Sequence, residues 1–279
     1  MKPGLCLRRR LMQGVWGLVC LWPVLCLASD KIGVVLMHGK NPGGPDDPSL
    51  ASLESKMNSA GMLVLRPNMP WSRQRYIDVP WGTAMDEIGQ HIQQLRAQGA
   101  TRIVLAGHSM GCPAAMGFAA RRPGVDALVL LAPGHSPLLY AQGIPQAPTR
   151  NWVVKESIDQ ARAMVASQRG DEQQVAFADV NQGRRVQLWT SPRTFLSYFD
   201  PESDAEMSVT AALIPPHVPV LWVIGDGDSL IQLGRDYVFN KLPANPHSTY
   251  LQASANHLST PAKAADQVVT WVKAVFAPR

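Results

Sequence analysis

Cysteine and charge are the scarce components of this sequence. Only four of its 279 residues are cysteine, and Cys6, Cys20 and Cys26 all fall within the first 28. Past that segment Cys112 stands alone, which excludes an internal disulfide and a cysteine-built zinc site. Charged residues make up 17% of the chain, below the roughly 25% of an ordinary soluble domain. With 46% hydrophobic residues, the composition is that of a globular protein standing on its core. The formal charge of +5 also shrinks on inspection. Lys2, Arg8, Arg9 and Arg10 sit in the leading segment, leaving 22 basic against 21 acidic residues, a net of +1. That near-neutral balance gives no electrostatic case for a nucleic-acid partner. Long hydrophobic runs are missing too: "VWGLVCLWPVLCL" (15–27) is too short for a comfortable membrane span. No internal repeat or low-complexity tract is present.

The first 28 residues read as an export signal. A basic start precedes the apolar run, and small residues at Ala28 and Ser29 suit cleavage. The expectation is a periplasmic or secreted chain with no stable span after cleavage. The alternative is a chain anchored by the uncleaved segment.

From residue 32 onward, short apolar runs alternate with helical patterns. "IGVVLM" (32–37), "MLVLRP" (62–67), "RIVLAG" (102–107), "DALVLLAP" (126–133), "VPVLWVIG" (218–225) and "STYLQA" (248–253) read as strands. Helices are expected over 48–61, along the Met85, Ile88, Ile92 and Leu95 face, over 111–121, and at the end, where Thr260 caps and Pro261 starts a last helix with Val268, Val272 and Val275 inward. Repeated strand–helix units imply one α/β domain (29–279), a parallel sheet with helices on both faces. Residues 134–217 break the rhythm and read as an insertion of short helices, including 156–168 and 191–199, with Trp152, Trp189, Phe195 and Tyr198 to bury.

In such a sheet the loops at the carboxyl ends of the strands form the active edge. "GHSMG" (107–111) joins the third strand to a helix, the context of a nucleophile elbow, and makes Ser109 the candidate nucleophile. Among the histidines, His217 and His247 precede strands, His91 lies on a helix flank, and the His108 side chain should point away from the elbow's tip. His38, His135 and His257 follow strands. His257, in the last strand–helix loop among small residues, is free to reach across and is the candidate base. "GDGD" offers two acids, Asp226 and Asp228, either of which could hold the imidazole. Backbone N–H groups of Met110 and of Lys40, in the glycine-rich "MHGKNPGG" loop, are the candidate oxyanion donors. That loop has neither a dinucleotide fingerprint nor a phosphate-loop ending. Trp71, Tyr76 and Trp81 could line a substrate pocket, with Arg73 and Arg75 beside them for an acidic group, or pack against the insertion. Cys112 reads as a core thiol.

With "LMHG" after the first strand, "GHSMG" at the elbow, "GDGD" late and "NH" last, the chain resembles the α/β-hydrolase superfamily across residues 30–279. The resemblance implies the order Ser, Asp, His and assigns the acid to Asp228, which ends a Gly225-x-x-Asp turn. It also implies a reduced sheet of about six strands in the order 2-1-3-4-5-6, because the usual leading antiparallel pair is missing, and a helical lid over 134–217. The "GHSMG" form occurs in esterases, lipases, thioesterases and some peptidases. The expected activity is therefore hydrolysis of a small-molecule carboxylic ester with no metal or organic cofactor. An amidase, peptidase or thioesterase on the same residues, or a noncatalytic envelope binding module, are the alternatives.

Overall fold

The computed structural model describes residue 1 and residues 30–142, 148–181 and 183–277. The expected export signal and its three cysteines lie outside the described residues. In chain order the elements are β1 (Ile32–Met37), α1 (Ala51–Ser59), β2 (Leu63–Leu65), α2 (Trp81–Ala97), β3 (Arg102–His108), α3 (Gly111–Arg121) and β4 (Ala127–Leu131). An insertion comes next, with α4 (Pro137–Gln142), α5 (Pro148–Ala166), β5 (Val175–Asn181), β6 (Arg184–Thr190), α6 (Pro192–Phe199) and α7 (Met207–Thr210). The chain then returns through β7 (Val220–Gly225), β8 (Thr249–Ala253), α8 (Thr260–Lys263) and α9 (Ala265–Val275). No helix among the described residues is long and apolar enough to cross a membrane.

Six strands form one sheet in the order β2-β1-β3-β4-β7-β8, every neighbouring pair parallel. This is the expected 2-1-3-4-5-6 order. The strand residues alternate between two cores, as a two-residue side-chain period demands. Val35, Met37, Ile103, Leu105, Leu128, Leu130 and Trp222 face the side covered by α2, α3 and the insertion. Val34, Leu36, Val104, Ala106, Val129, Leu131 and Val223 face the side covered by α1 and α9. Both faces are covered, so central strands read as continuous apolar runs instead of alternating ones. On α9, Val268 and Val272 are fully buried, each contributing about 1.5–3 kcal/mol through burial.

Three local expectations are corrected. The edge strand β2 is only three residues long and half-buried. Thr260 does not cap the last helix by accepting an N–H; its hydroxyl donates back to the Asn256 carbonyl at 2.8 Å, and the helix is broken at Ala264 into α8 and α9. The insertion is not all helical: β5 and β6 form an antiparallel pair. Phe195 and Tyr198 are fully buried there, but Trp152 and Trp189 are exposed.

Candidate active site

The elbow is built from what its glycines leave out. A Cβ on Gly107 would lie 2.2 Å from the Gly111 carbonyl carbon, and one on Gly111 would lie 2.7 Å from the Met37 carbonyl oxygen. Only glycine at both positions lets α3 start this close to the ends of β1 and β3. Between them Ser109 is held at φ +53, a left-handed conformation that costs a non-glycine residue energy and needs surrounding structure to enforce it. Its N–H donates to the Leu131 carbonyl at 3.1 Å, and its carbonyl accepts from Cys112 at 3.0 Å.

The side chain of Ser109 does not stand alone. His257 Nε2 lies 3.0 Å from Ser109 Oγ, and His257 Nδ1 lies 2.7 Å from Asp228 Oδ2. Asp228, 3% exposed, accepts the Leu230 N–H on its other oxygen at 2.9 Å. An ionised carboxylate only accepts, so Nδ1 carries the proton and Nε2 is left to accept from the serine. Of the two acids that spacing left open, Asp228 is the one brought to the imidazole. Asp226 is exposed and accepts the Ala255 N–H at 3.1 Å, steadying the loop that carries His257. A Cβ on Gly225 would meet the Ala255 carbonyl oxygen at 2.2 Å, so the two loops interlock closely.

Three other histidines have structural partners. His38 is buried, accepts the Met69 N–H at 3.2 Å on Nε2, and has Nδ1 2.7 Å from the Gly39 carbonyl. His135 has Nε2 2.7 Å from the Tyr198 carbonyl, and burial pushes its pKa down to about 3. His108 does point away from the tip of the elbow, yet it is not idle. Its Nε2 donates to the His257 carbonyl at 3.0 Å, and burial holds its pKa down to about 4, reinforced by the neighbouring imidazole. A neutral ring thus braces the backbone of His257 without setting a second charge beside it.

The two expected oxyanion donors follow Ser109 and Gly39 in the chain. Met110 is the N-cap of α3, directly after Ser109. Gly39, directly before Lys40, packs on Ser109 so closely that a Cβ there would lie 3.2 Å from the Ser109 Cβ. Among the described residues neither the Met110 nor the Lys40 N–H has a hydrogen-bond partner. The Lys40 ammonium is buried and paired with Asp179.

The three aromatic residues expected to line a pocket are placed otherwise. Trp71 is fully buried and donates to the His38 carbonyl at 2.8 Å. Trp81 stacks edge-on against Tyr198 of the insertion at 5.2 Å. Tyr76 donates to Asp179 at 2.7 Å. They form the wall between loop and insertion. Arg73 pairs with Asp46, and Arg75 with Asp78 and Glu87, so neither guanidinium is free for an acidic substrate group. A small depression elsewhere is lined by Pro133, Ser136, Met207, Trp222, Leu230 and Tyr237, and none of the three site residues lines it. Cys112 is fully buried with its Sγ 3.0 Å from the Gly107 carbonyl, and burial raises its thiol pKa.

Gly134 is a site residue that sequence reading misses. A Cβ there would stand 2.8 Å from Ser109 Oγ and 3.3 Å from His257 Cε1. The available signal is a glycine directly after the fourth strand, at the active edge of the sheet. No group of three or more His, Cys, Asp or Glu side chains suited to a metal occurs among the described residues.

A family model described as serine aminopeptidase, S33 matches residues 74–259, and no curated protein matches. A monoacylglycerol lipase from Paleococcus ferrophilus superimposes with a TM-score of 0.62 at 19% identity, covering 88% of this chain and 97% of its own. A carboxyl esterase from Bacillus coagulans, solved with glycerol, gives 0.58 at 12% identity over 90% and 92%. A metagenome-derived lipolytic enzyme gives 0.56 at 13% over 89% and 94%. At these identities the likeness establishes the fold.

Proposed function

This chain belongs to the serine aminopeptidase S33 family of α/β-hydrolases, and from that premise we propose that it hydrolyses carboxylic esters through an acyl-enzyme on Ser109. The observation that carries the reading is the unbroken chain Asp228–His257–Ser109, at 2.7 and 3.0 Å, on a left-handed elbow. In the proposed reaction His257 Nε2 takes the hydroxyl proton as Oγ attacks the ester carbonyl. Asp228 holds Nδ1–H and stabilises the imidazolium. The Met110 and Lys40 N–H groups receive the negative oxygen of the tetrahedral intermediate. His257 then gives its proton to the departing alcohol, and a water activated by the same nitrogen releases the acid.

The insertion's apolar content supports a medium or bulky apolar acyl chain as the substrate's acid part. We read residues 134–217 as the cap of a single domain spanning 29–279, and residues 1–28 as an export signal that leaves the enzyme periplasmic or secreted. N-terminal sequencing of the protein from its native compartment checks the latter, and a chain starting at Met1 contradicts it. Amide or peptide hydrolysis is the second reading, favoured by the description of the matching family. Turnover of p-nitrophenyl acetate, a longer-chain ester panel and matched amino-acid p-nitroanilides, side by side with Ser109→Ala, separates the two. The ester reading expects rapid, Ser109-dependent cleavage of esters, the longer acyl chains among them; faster cleavage of the anilides overturns it.

A further inference from the structure

The loop carrying Lys40 is held from above by the insertion, through groups the proposed chemistry does not use. Lys40 Nζ lies 2.7 and 2.6 Å from the two carboxylate oxygens of Asp179, on β5. Asp179 is fully buried and the Lys40 side chain 4% exposed. Tyr76, on the loop after β2, donates its hydroxyl to Asp179 Oδ2 at 2.7 Å, and the Val180 N–H closes on Oδ1 at 2.7 Å. One residue further on, Asn41 is clamped from both sides: its N–H donates to the Trp71 carbonyl at 2.9 Å, and its carbonyl accepts from Asn181, at the end of β5. Burial alone would lower the Lys40 pKa, but the Asp179 carboxylate and the Tyr140 hydroxyl reverse that and keep the ammonium charged.

We infer that Asp179 is a positioning residue for the oxyanion hole: by pairing with the Lys40 side chain it fixes where the Lys40 N–H points. The inference rests on the reading of Lys40 as an oxyanion donor. Residues 179 and 40 are far apart in sequence, and nothing in the local conformation of "HGKNP" requires a buried carboxylate above it. A donor must be held within about 0.5 Å of its productive position to be useful. A loop whose charged side chain is sealed under a hairpin cannot relax as a solvated loop does. Removing the carboxylate alone strands a buried ammonium, which reaches for water and takes its own backbone with it. The stabilisation lost is that of the transition state, since the ground-state ester makes little use of the donor.

The test compares wild type, Asp179→Asn, the double variant Lys40→Met/Asp179→Asn, and Tyr76→Phe, on p-nitrophenyl acetate well below each melting temperature. Expected for Asp179→Asn is a kcat at least tenfold lower with KM within threefold, as for partial loss of an oxyanion donor. The double variant has no stranded charge but lacks the pair as well, so it should stay about as slow as the single variant. A folded Asp179→Asn protein with wild-type kcat, or a double variant restored to wild-type kcat, overturns the inference. If Asp179→Asn does not fold, Tyr76→Phe decides: a two- to fivefold fall in kcat at constant KM supports it, and unchanged kcat refutes it. Wild type turning over no faster than Ser109→Ala brings down the ester-hydrolase reading and this inference with it. That outcome is distinct from active wild type with an indifferent Asp179.

Discussion

Replacing Asp228 by asparagine exchanges one oxygen for an amide nitrogen at a site where the imidazole offers a proton. The carboxylate accepts the Leu230 N–H on Oδ1 and faces His257 Nδ1 with Oδ2 at 2.7 Å. The asparagine must keep its oxygen on Leu230 N–H, so its NH2 turns toward Nδ1. Two donors cannot share that contact, and the ring adopts the tautomer with its proton on Nε2. Nε2 then cannot accept from Ser109 Oγ, although the heavy atoms barely move. The loss expected for a wrong tautomer with intact geometry is about 10⁴ in kcat, or about 5.5 kcal/mol of transition-state stabilisation. Asp226→Asn is the control, because its oxygen still accepts the Ala255 N–H; kcat should stay within about threefold, well under 1 kcal/mol. The assay is kcat and KM for a p-nitrophenyl ester on both variants, with circular-dichroism melts to show that each is folded. Equal losses, or a larger loss at Asp226, would refute the assignment of the acid.

Gly134→Ala places a methyl 2.8 Å from Ser109 Oγ; displacing the hydroxyl from Nε2 should cost about 10²-fold in kcat with little change in melting temperature, and an unaffected kcat would show that the loop gives way. Gly89, in the middle of α2, meets only Phe118 at 3.7 Å, so Gly89→Ala should stabilise by about 0.5–1 kcal/mol in urea unfolding. Gly107→Ala, facing backbone at 2.2 Å, should instead destabilise by about 3 kcal/mol or more. His108 and His135 are held by burial down to about 4 and about 3, whereas both take up protons near 6.5 in the unfolded chain. The unfolded state therefore binds more protons between those values, and stability falls as pH drops below 6.5, by about 1.4 kcal/mol per pH unit for each histidine until its folded pKa is reached. His135→Asn, which suits the residue's φ of +64, should flatten that slope by about this amount in urea titrations at pH 7, 6 and 5; an unchanged slope contradicts it.

The sheet is readable in the sequence because a strand buried on both faces has to be an apolar run, as "IGVVLM" and "RIVLAG" are. The elbow is readable for the same local reason: Gly107 and Gly111 are required by contacts within a few residues of Ser109 and at the end of β1. The β5–β6 hairpin escapes such a reading because its inward face carries Asp179, a carboxylate that breaks the apolar alternation of "VAFADVN". Its partner for that charge, Lys40, lies at the far end of the chain. "NQG" between the two runs is the available signal, since such a turn closes hairpins. Asp226 and Asp228 differ by two positions on one turn, and only the neighbouring loop, through Ala255 and His257, decides which meets the ring. Trp71, Tyr76 and Trp81 share an aromatic character that suits a pocket or a packed wall equally. Which they form depends on His38, Asp179 and Tyr198, contacts that no local pattern announces.

The central claim is that Ser109 is an activated nucleophile, and intact-mass labelling with a fluorophosphonate addresses it most directly. Purified protein and the folded Ser109→Ala variant are incubated with the probe and weighed. The account predicts one phosphonyl adduct on the wild type and none on the variant. A folded wild-type protein that takes up no adduct, or a variant labelled to the same extent, would contradict it.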